Sequence, residues 1–541
     1  MSVMSQDARA VIVIAATPTP NGDLHVGHLA GPYLSGDIYA RRQRALGRRV
    51  IYATCTDDSQ SYVLASARRN GVTPAELCAK ATGDIERSLF AMGISMNGLP
   101  PIDDTYRTSV LDFVGRLHRD GRLRLRTVSL PYAQTTGQFL YDGLVGGECP
   151  VCLAPSSAGA CEGCGHPNNF TDLLCPGNVL DRDEPVAHRE CTILVLPTEE
   201  YRDRIEEHFA EVSTRWRPHA AQLVREILAR PLPDIPVTVP GEWGIAAPFE
   251  ETPGQILYPW VEAMPASMYA TWWAAAQAGD ERSELDEHWR AENDAELVYF
   301  HGFDNVYHWG LMDLVMLLAH GERYTTPASN VCNEFYELDH AKFSTSRQHL
   351  INSTELLQDA PRDLARFFLA LTAPEYQRTN FDRENFRILI DERLTVPWNR
   401  LAETLEKLTA AVGGVELAVS PEGRRRAQAV ADRFTVAYSL PTFSPALAAE
   451  TVVQQLARLL DAAEQAQARQ LPEELGDLLA QLSAVLTGAA PILIDVAQQL
   501  RDQGVVLNPS APAAETIATF ALPRLGRRMP SGPAGRLPVR N

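Results

Sequence analysis

The sequence predicts an α/β fold: a parallel-sheet domain, interrupted by a cysteine-bearing insertion and followed by an α-helical bundle. Three observations predict it. Short apolar runs alternate with helical periods over residues 8–125, the pattern of a parallel sheet covered by helices. Residues 126–230 break that pattern with Gly- and Pro-rich sequence and four closely spaced cysteines. From about residue 361 to 515, apolar residues recur at helical spacing almost throughout.

Val11-Ile12-Val13-Ile14 reads as a buried strand, followed by a Pro/Gly/Asn turn and a helical period over 29–46. Arg49–Thr54 reads as the next strand and 74–92 as a helix. Within the insertion, Glu199–Leu228 is amphipathic. The α/β pattern returns at Glu296–Phe300 and runs to about 335. Helical periods then cover 385–411, 424–438, 446–468 and 473–502. The division expected is 8–125 and 231–345 as two halves of one catalytic domain around the 126–230 insertion. A linking stem follows over 346–390, then a helical domain over 391–515 and a Pro/Gly/Arg-rich tail over 516–541 expected to be disordered. The stretch Leu478–Ile494 contains Gln481, Ser483, Gly488 and Pro491, so it reads as two bundle helices and not as a membrane span.

With 541 residues, 45% apolar and 22% charged, the chain is long enough for several domains with full cores. A formal charge of −19 argues against a broad non-specific nucleic-acid surface but leaves room for a local basic groove. No basic-then-apolar leader is recognised at the N-terminus. Nine cysteines, an odd number with four clustered, favour a reducing compartment over a disulfide framework. A cytoplasmic location is therefore expected.

The turn Thr17-Pro18-Thr19-Pro20-Asn21-Gly22-Asp23-Leu24-His25-Val26-Gly27-His28 carries the most chemistry. A strand, a tight turn and a helix start form a phosphate-binding geometry. His25 and His28, three apart, share one face of the first helical turn, and Gly27 lets a flat ring approach the backbone. The arrangement suits ATP, with adenine near Gly27 and the two histidines donating to the triphosphate.

Cys149-x2-Cys152 and Cys161-x2-Cys164 form two knuckles separated by eight residues. Four thiolates at this spacing complete a tetrahedral site, and a short Gly-rich segment draws folding energy from metal. Zinc is expected ahead of two disulfides or an iron–sulfur cluster, and with all four positions filled its role is structural. Cys175 and Cys191 show no partner pattern and are expected to be small buried side chains.

The turn resembles the first signature of class I aminoacyl-tRNA synthetases. Tyr132-x4-Gly137-Gln138-Phe139-Leu140 with the two knuckles resembles the zinc-bearing insertion of the methionyl enzymes. Cys55-Thr56-Asp57-Asp58, Tyr258-Pro259-Trp260-Val261-Glu262-Ala263, Phe300-His301-Gly302-Phe303-Asp304 and Ala341-Lys342-Phe343-Ser344-Thr345-Ser346-Arg347 follow in the family's order. The resemblance implies a Rossmann-type catalytic domain, ATP with Mg2+, an amino acid as substrate, a tRNA as default acceptor, and a role in protein biosynthesis. It implies His25, His28 and Lys342 as catalytic residues. Asn21, Gly27, Gly302, Asp304 and Arg347 are implied at ATP, and Thr17, Thr19, Asp57, Trp260, Asn305 and Trp309 at the amino acid.

The chain also departs from that family. Its second signature reads Lys342-Phe343-Ser344-Thr345-Ser346, with Thr345 at the place of the second lysine. Thr19, Asn305 and Trp309 replace groups of the methionine pocket, and a buried Asn305 requires a polar partner. Pro397-Trp398-Asn399-Arg400-Leu401 lies where the family reads the anticodon, with Glu403 at the place of an arginine. The expectation is an amino-acid-adenylating ligase whose amino acid need not be methionine. Two alternatives stand beside it: a stand-alone ligase acylating a small amine or a carrier protein, and a non-catalytic amino-acid or nucleotide-binding paralogue. No dimerisation module is recognised, so a monomer is expected.

Overall fold

The computed structural model describes residues 9–343, 350–413, 416–469 and 474–526. Strand β1 (Val11–Ala15) leads through a turn and a kinked helical segment into α1 (Leu34–Ala45), then β2 (Val50–Ala53) and α2 (Pro74–Ala91). β1 is buried at all five residues, as expected of a strand covered on both faces. The kink falls at Gly31 and Pro32, where the helix between Val26 and Ala45 changes to π-helical turns over Leu29–Tyr33.

The insertion is antiparallel. β3 (Arg124–Ala133) pairs with β4 (Val186–Leu196) from Arg124↔Val195 to Ala133↔Val186. The cysteine knuckles lie between these strands, and α3 (Pro218–Leu228) follows. The chain then returns through α4 (Pro259–Gln277) to β5 (Glu296–Gly302) and β6 (Pro327–Asn333). The resulting sheet is parallel at every pairing, in the order β6-β5-β1-β2. Cys175 is exposed and Cys191 half-buried, contrary to expectation. Cys191 lies opposite Val128 on β3–β4, where many side chains face solvent, and the two pack only at the margin of the core.

Beyond α5 (Arg362–Leu371) the chain is mainly helical: α6 (Val396–Val412), α7 (Pro421–Tyr438), α8 (Pro445–Arg469), α9 (Leu475–Ala489) and α10 (Ile494–Asp502). Among the described residues no helix is long and apolar enough to cross a membrane. A small ladder, β7 (Glu416–Ala418) against β8 (Thr516–Ala518), closes this region.

The expectation of a disordered tail from residue 516 is corrected for 516–526. Leu522 and Leu525 are buried. Trp398 Nε1 donates to the Pro523 carbonyl at 2.7 Å, and Asn399 exchanges two hydrogen bonds with the Leu525 backbone, both 2.9 Å. The Pro/Gly/Arg composition hid this because the segment docks through its backbone and two leucines. Residues 527–541 lie outside the described residues.

One buried ion pair ties the sheet domain to the helical region. Arg366 on α5 donates from Nη2 to Asp37 Oδ2 of α1 at 2.7 Å, and both side chains are fully buried. The same guanidinium donates to the carbonyls of Met92, Pro491 and Ile492. Asp37 also accepts from Arg41 Nε and from the Ser95 backbone N–H. Burial alone would raise the Asp37 pKa, but Arg366 and Arg41 together hold it below the usual carboxylate range. Burial pulls Arg366 down from a value so high that it stays charged. Since the folded pKa of Asp37 is depressed, its contribution is present above the unfolded value, about 3.9, and is lost as pH falls through the folded one. Replacing Arg366 by Met should destabilise the protein by about 3–5 kcal/mol, because it strands a buried carboxylate. R366M/D37N should recover part of that loss in a denaturant melt at pH 7; equal midpoints for the wild type and R366M would refute the assignment.

Candidate active site

The turn after β1 is held at both ends. Ala16 N–H donates to Phe300 O at 2.9 Å, continuing the β1–β5 pairing, and Asp57 N–H donates to Pro18 O at 3.1 Å, joining the turn to the loop after β2. His25 caps the following helical turn. Its Nδ1 accepts the His28 backbone N–H at 3.3 Å, and His28 Nδ1 accepts the His25 N–H at 3.4 Å. An acceptor at Nδ1 puts the proton of each neutral ring on Nε2. The rings stack with centroids 3.7 Å apart, and His25 stacks on Phe343 at 4.5 Å. A Cβ at Gly27 would sit 3.0 Å from the His25 ring and 3.1 Å from Phe343, so a side chain there would have to push one of these rings aside.

A cavity of ≈ 430 Å³ opens beside these rings, at the C-terminal ends of the strands, where ligands bind in open α/β sheets. It brings together Thr17, Thr19, Asn21, His25, Gly27, His28, Asp57, Trp260, Gly302, Asp304 and Asn305, which come from four separate stretches of sequence. Asp57 is buried, and burial first, then the neighbouring Glu262, raises its pKa well above the ordinary value. Glu262 is itself pushed up to about 8 by burial, although Ser59 Oγ (2.8 Å) and Tyr106 OH (3.2 Å) donate to its Oε2. Two carboxylates thus share one buried region, and a cation placed against Asp57 would restore its charge.

Asn305 borders the cavity, but its amide already donates to Asp304 Oδ1 at 3.0 Å. The polar partner expected of a ligand is thus supplied in part by the protein. Trp309 does not border the cavity. It is buried edge-on against Tyr299, centroids 5.2 Å apart, because successive helical residues face directions about 100° apart. The side chain of Lys342 and all of Arg347 lie outside the described residues, as do Ser344, Thr345 and Ser346.

Sequence reasoning missed His308, which lies flat on Trp260 at 3.5 Å and is pushed down to about 3 by burial, so its ring is neutral. It also missed Asn333 and Glu334 at the end of β6 and Glu162 from the second knuckle, all at the cavity. The polar pair Asn333-Glu334, directly after the apolar Val331-Cys332, is the sequence signal that could have found them.

The four cysteine sulfurs lie within 4.8 Å of one another, with Cys149–Cys164 at 3.8 Å and Cys152–Cys161 at 3.6 Å. Tetrahedral zinc with Zn–S bonds of about 2.3 Å needs sulfurs about 3.8 Å apart, so the donor set fits. Backbone N–H groups of Val151 and Gly163 point at Cys149 and Cys161 sulfur. Against burial, which raises it, the N–H groups of Cys152 and Val151 pull Cys149 down to about 7, favouring the thiolate that binds metal. The knuckle also forms part of the cavity wall. Gly159, at φ +99°, passes so close that a Cβ would lie 3.4 Å from His308 Nε2 and 3.5 Å from Trp260 Nε1.

Comparison with known proteins agrees with this geometry. Residues 11–403 match the family described as tRNA synthetases class I (M). Methionine–tRNA ligase from Christiangramia forsetii is 30% identical over 412 residues, covering 75% of this chain and 59% of that protein. The Roseiflexus sp. enzyme is 30% identical over 412 residues, covering 74% and 68% respectively. The chain spans less than two thirds of the first curated relatives it matches, 59% and 57% of their lengths. Mycobacterium tuberculosis methionyl-tRNA synthetase bound by methionyl-adenylate has the same fold, with a TM-score of 0.73 at 18% identity over 95% of this chain and 100% of that one. By this match over most of its length, the chain belongs to the class I (M) tRNA synthetase family.

Proposed function

We propose that the protein is an ATP-dependent ligase that activates an amino acid as its adenylate and passes the acyl group to an acceptor, by default a tRNA. The observation that carries this reading is the single cavity joining His25, His28, Asp57, Trp260 and Asp304. Asp57 holds the α-ammonium, which lines up the carboxylate oxygen with the α-phosphorus. The oxygen attacks, the bond to the β-phosphate bridging oxygen breaks, and pyrophosphate leaves. His25 and His28 donate from Nε2 to the charge that grows on the phosphates. Asn21, Gly27, Gly302 and Asp304 line the nucleotide, and Lys342 and Arg347 share the charge stabilisation on its triphosphate. Magnesium bound with the triphosphate supplies further charge neutralisation. The acceptor's hydroxyl or amine then attacks the acyl carbon, and AMP leaves.

The amino acid we propose is one with a polar side chain. Support comes from Thr19, Asn305 and Glu162 at the cavity. A second reading keeps the activation and replaces tRNA by a small amine or carrier protein. It is favoured by the helical region, where Trp398 and Asn399 are held by the chain's own residues 523–525 and Arg400, Lys407 and Arg524 pair with Glu464, Glu403 and Glu406.

Pyrophosphate exchange without tRNA, run across natural and modified amino acids, should show activation with methionine a poor substrate. Methionine as the best substrate by a wide margin would refute the polar-pocket proposal, and no exchange with any amino acid would leave a binding protein. Adding total tRNA and counting acylation separates the two acceptors. His25→Ala or His28→Ala should slow activation by about two to three orders of magnitude while the protein stays folded, with only a small drop in melting temperature from the lost cap. The knuckles should bind about one zinc per chain by elemental analysis. Cys161→Ser should lose that metal and change the fluorescence of Trp260, which abuts the knuckle; a metal-free, folded wild type would refute the zinc site.

A further inference from the structure

Asn333 ends β6 at the rim of the cavity and is 1% exposed. Its Oδ1 accepts from Arg217 Nη1 at 2.6 Å. An arginine only donates, so the oxygen of this carboxamide must face Arg217 and the amide nitrogen must face away. Nδ2 has no hydrogen-bond partner among the described residues. It lies beside the backbone of the first-signature helix, 3.9 Å from where a Cβ of Gly31 would stand. A buried donor left unmet is unfavourable, so it calls for an acceptor from outside the chain.

Arg217 sets this geometry. It is buried at the start of α3 and donates also to Cys332 O at 2.7 Å and to Phe443 O at 3.3 Å. One guanidinium therefore spans the insertion, the end of β6 and the helical region. The sheet order identifies which part of a ligand Asn333 meets. Asp57 follows β2 at one edge of the sheet, and Asn333 ends β6 at the other. Three inter-strand steps separate those edges, about 14 Å, the span of an aminoacyl group joined to a nucleotide.

We infer that Asn333 donates from Nδ2 to the nucleoside part of ATP, and that Arg217 is a positioning residue that aims it. The inference rests on the adenylating reading above. Binding of ATP and of the amino acid by the full chain, each measured separately by calorimetry, tests both. Asn333→Ala should weaken ATP about 5- to 10-fold, the loss of one hydrogen bond. Asn333→Asp keeps the Arg217 contact and the side-chain shape while removing the donor, so it should weaken ATP at least as much. Both variants should leave amino-acid affinity within about twofold. Asn333→Ala takes an acceptor from Arg217 and should lower the melting temperature, whereas Asn333→Asp keeps that acceptor and should hold it near the wild type. Arg217→Lys should reproduce the ATP defect, and adding it to Asn333→Ala should cost little more. ATP binding unchanged in both Asn333 variants, or an equal loss for the amino acid, overturns the inference. Failure of the wild type to bind ATP at all overturns the adenylating reading with it.

Discussion

The Arg366–Asp37 pair is the constraint on which the arrangement of this molecule depends. Asp37 belongs to the helix that continues the first signature, and Arg366 begins the passage into the helical region. A carboxylate on that helix could not stay charged in a dry core without a cation, and a guanidinium could not be buried there without acceptors for its N–H groups. Each is the condition for the other. Because the same arginine collects the carbonyls of residues 92, 491 and 492, two distant segments besides its own are fixed relative to the helix that carries His25 and His28.

Arg217 does similar work at the end of β6. Both arginines use their fork of donors to gather carbonyl ends that no regular element would satisfy. The cavity has no lysine or arginine among its described lining residues, and Asp57, one of two neighbouring buried carboxylates, borders it. Such a site favours a ligand that brings its own cation, as an amino acid does.

Much of this was legible in the sequence, and the reason is local. The signature turn, the Asp57 loop, Trp260 and the Gly302-x-Asp304 bend each follow a strand or start a helix, so their residues converge once the strands align. The knuckles were legible because thiolate spacing is itself a geometry. What could not be read depends on pairing between distant residues. Nothing near Arg217 in sequence marks it as a partner of Asn333, and nothing in 516–526 announces a strand pairing with 416–418 and a bond to Trp398. Trp309 stands off the cavity because adjacent helical positions face different surroundings; His308, its neighbour, holds the contact with Trp260.

The strand order has a consequence for the protein's birth. β1 lies at the centre of the sheet and is apolar along its whole length, yet one of its neighbours begins only at Glu296. At ribosomal rates of about 5–20 residues per second, its open edge waits roughly 15–55 s for that partner. An unpaired, fully apolar strand edge is a template for pairing with other chains. The antiparallel insertion, synthesised in that interval, closes its own strands on each other. The nascent chain must keep β1 shielded until the second half of the sheet emerges, and it is then that aggregation threatens most.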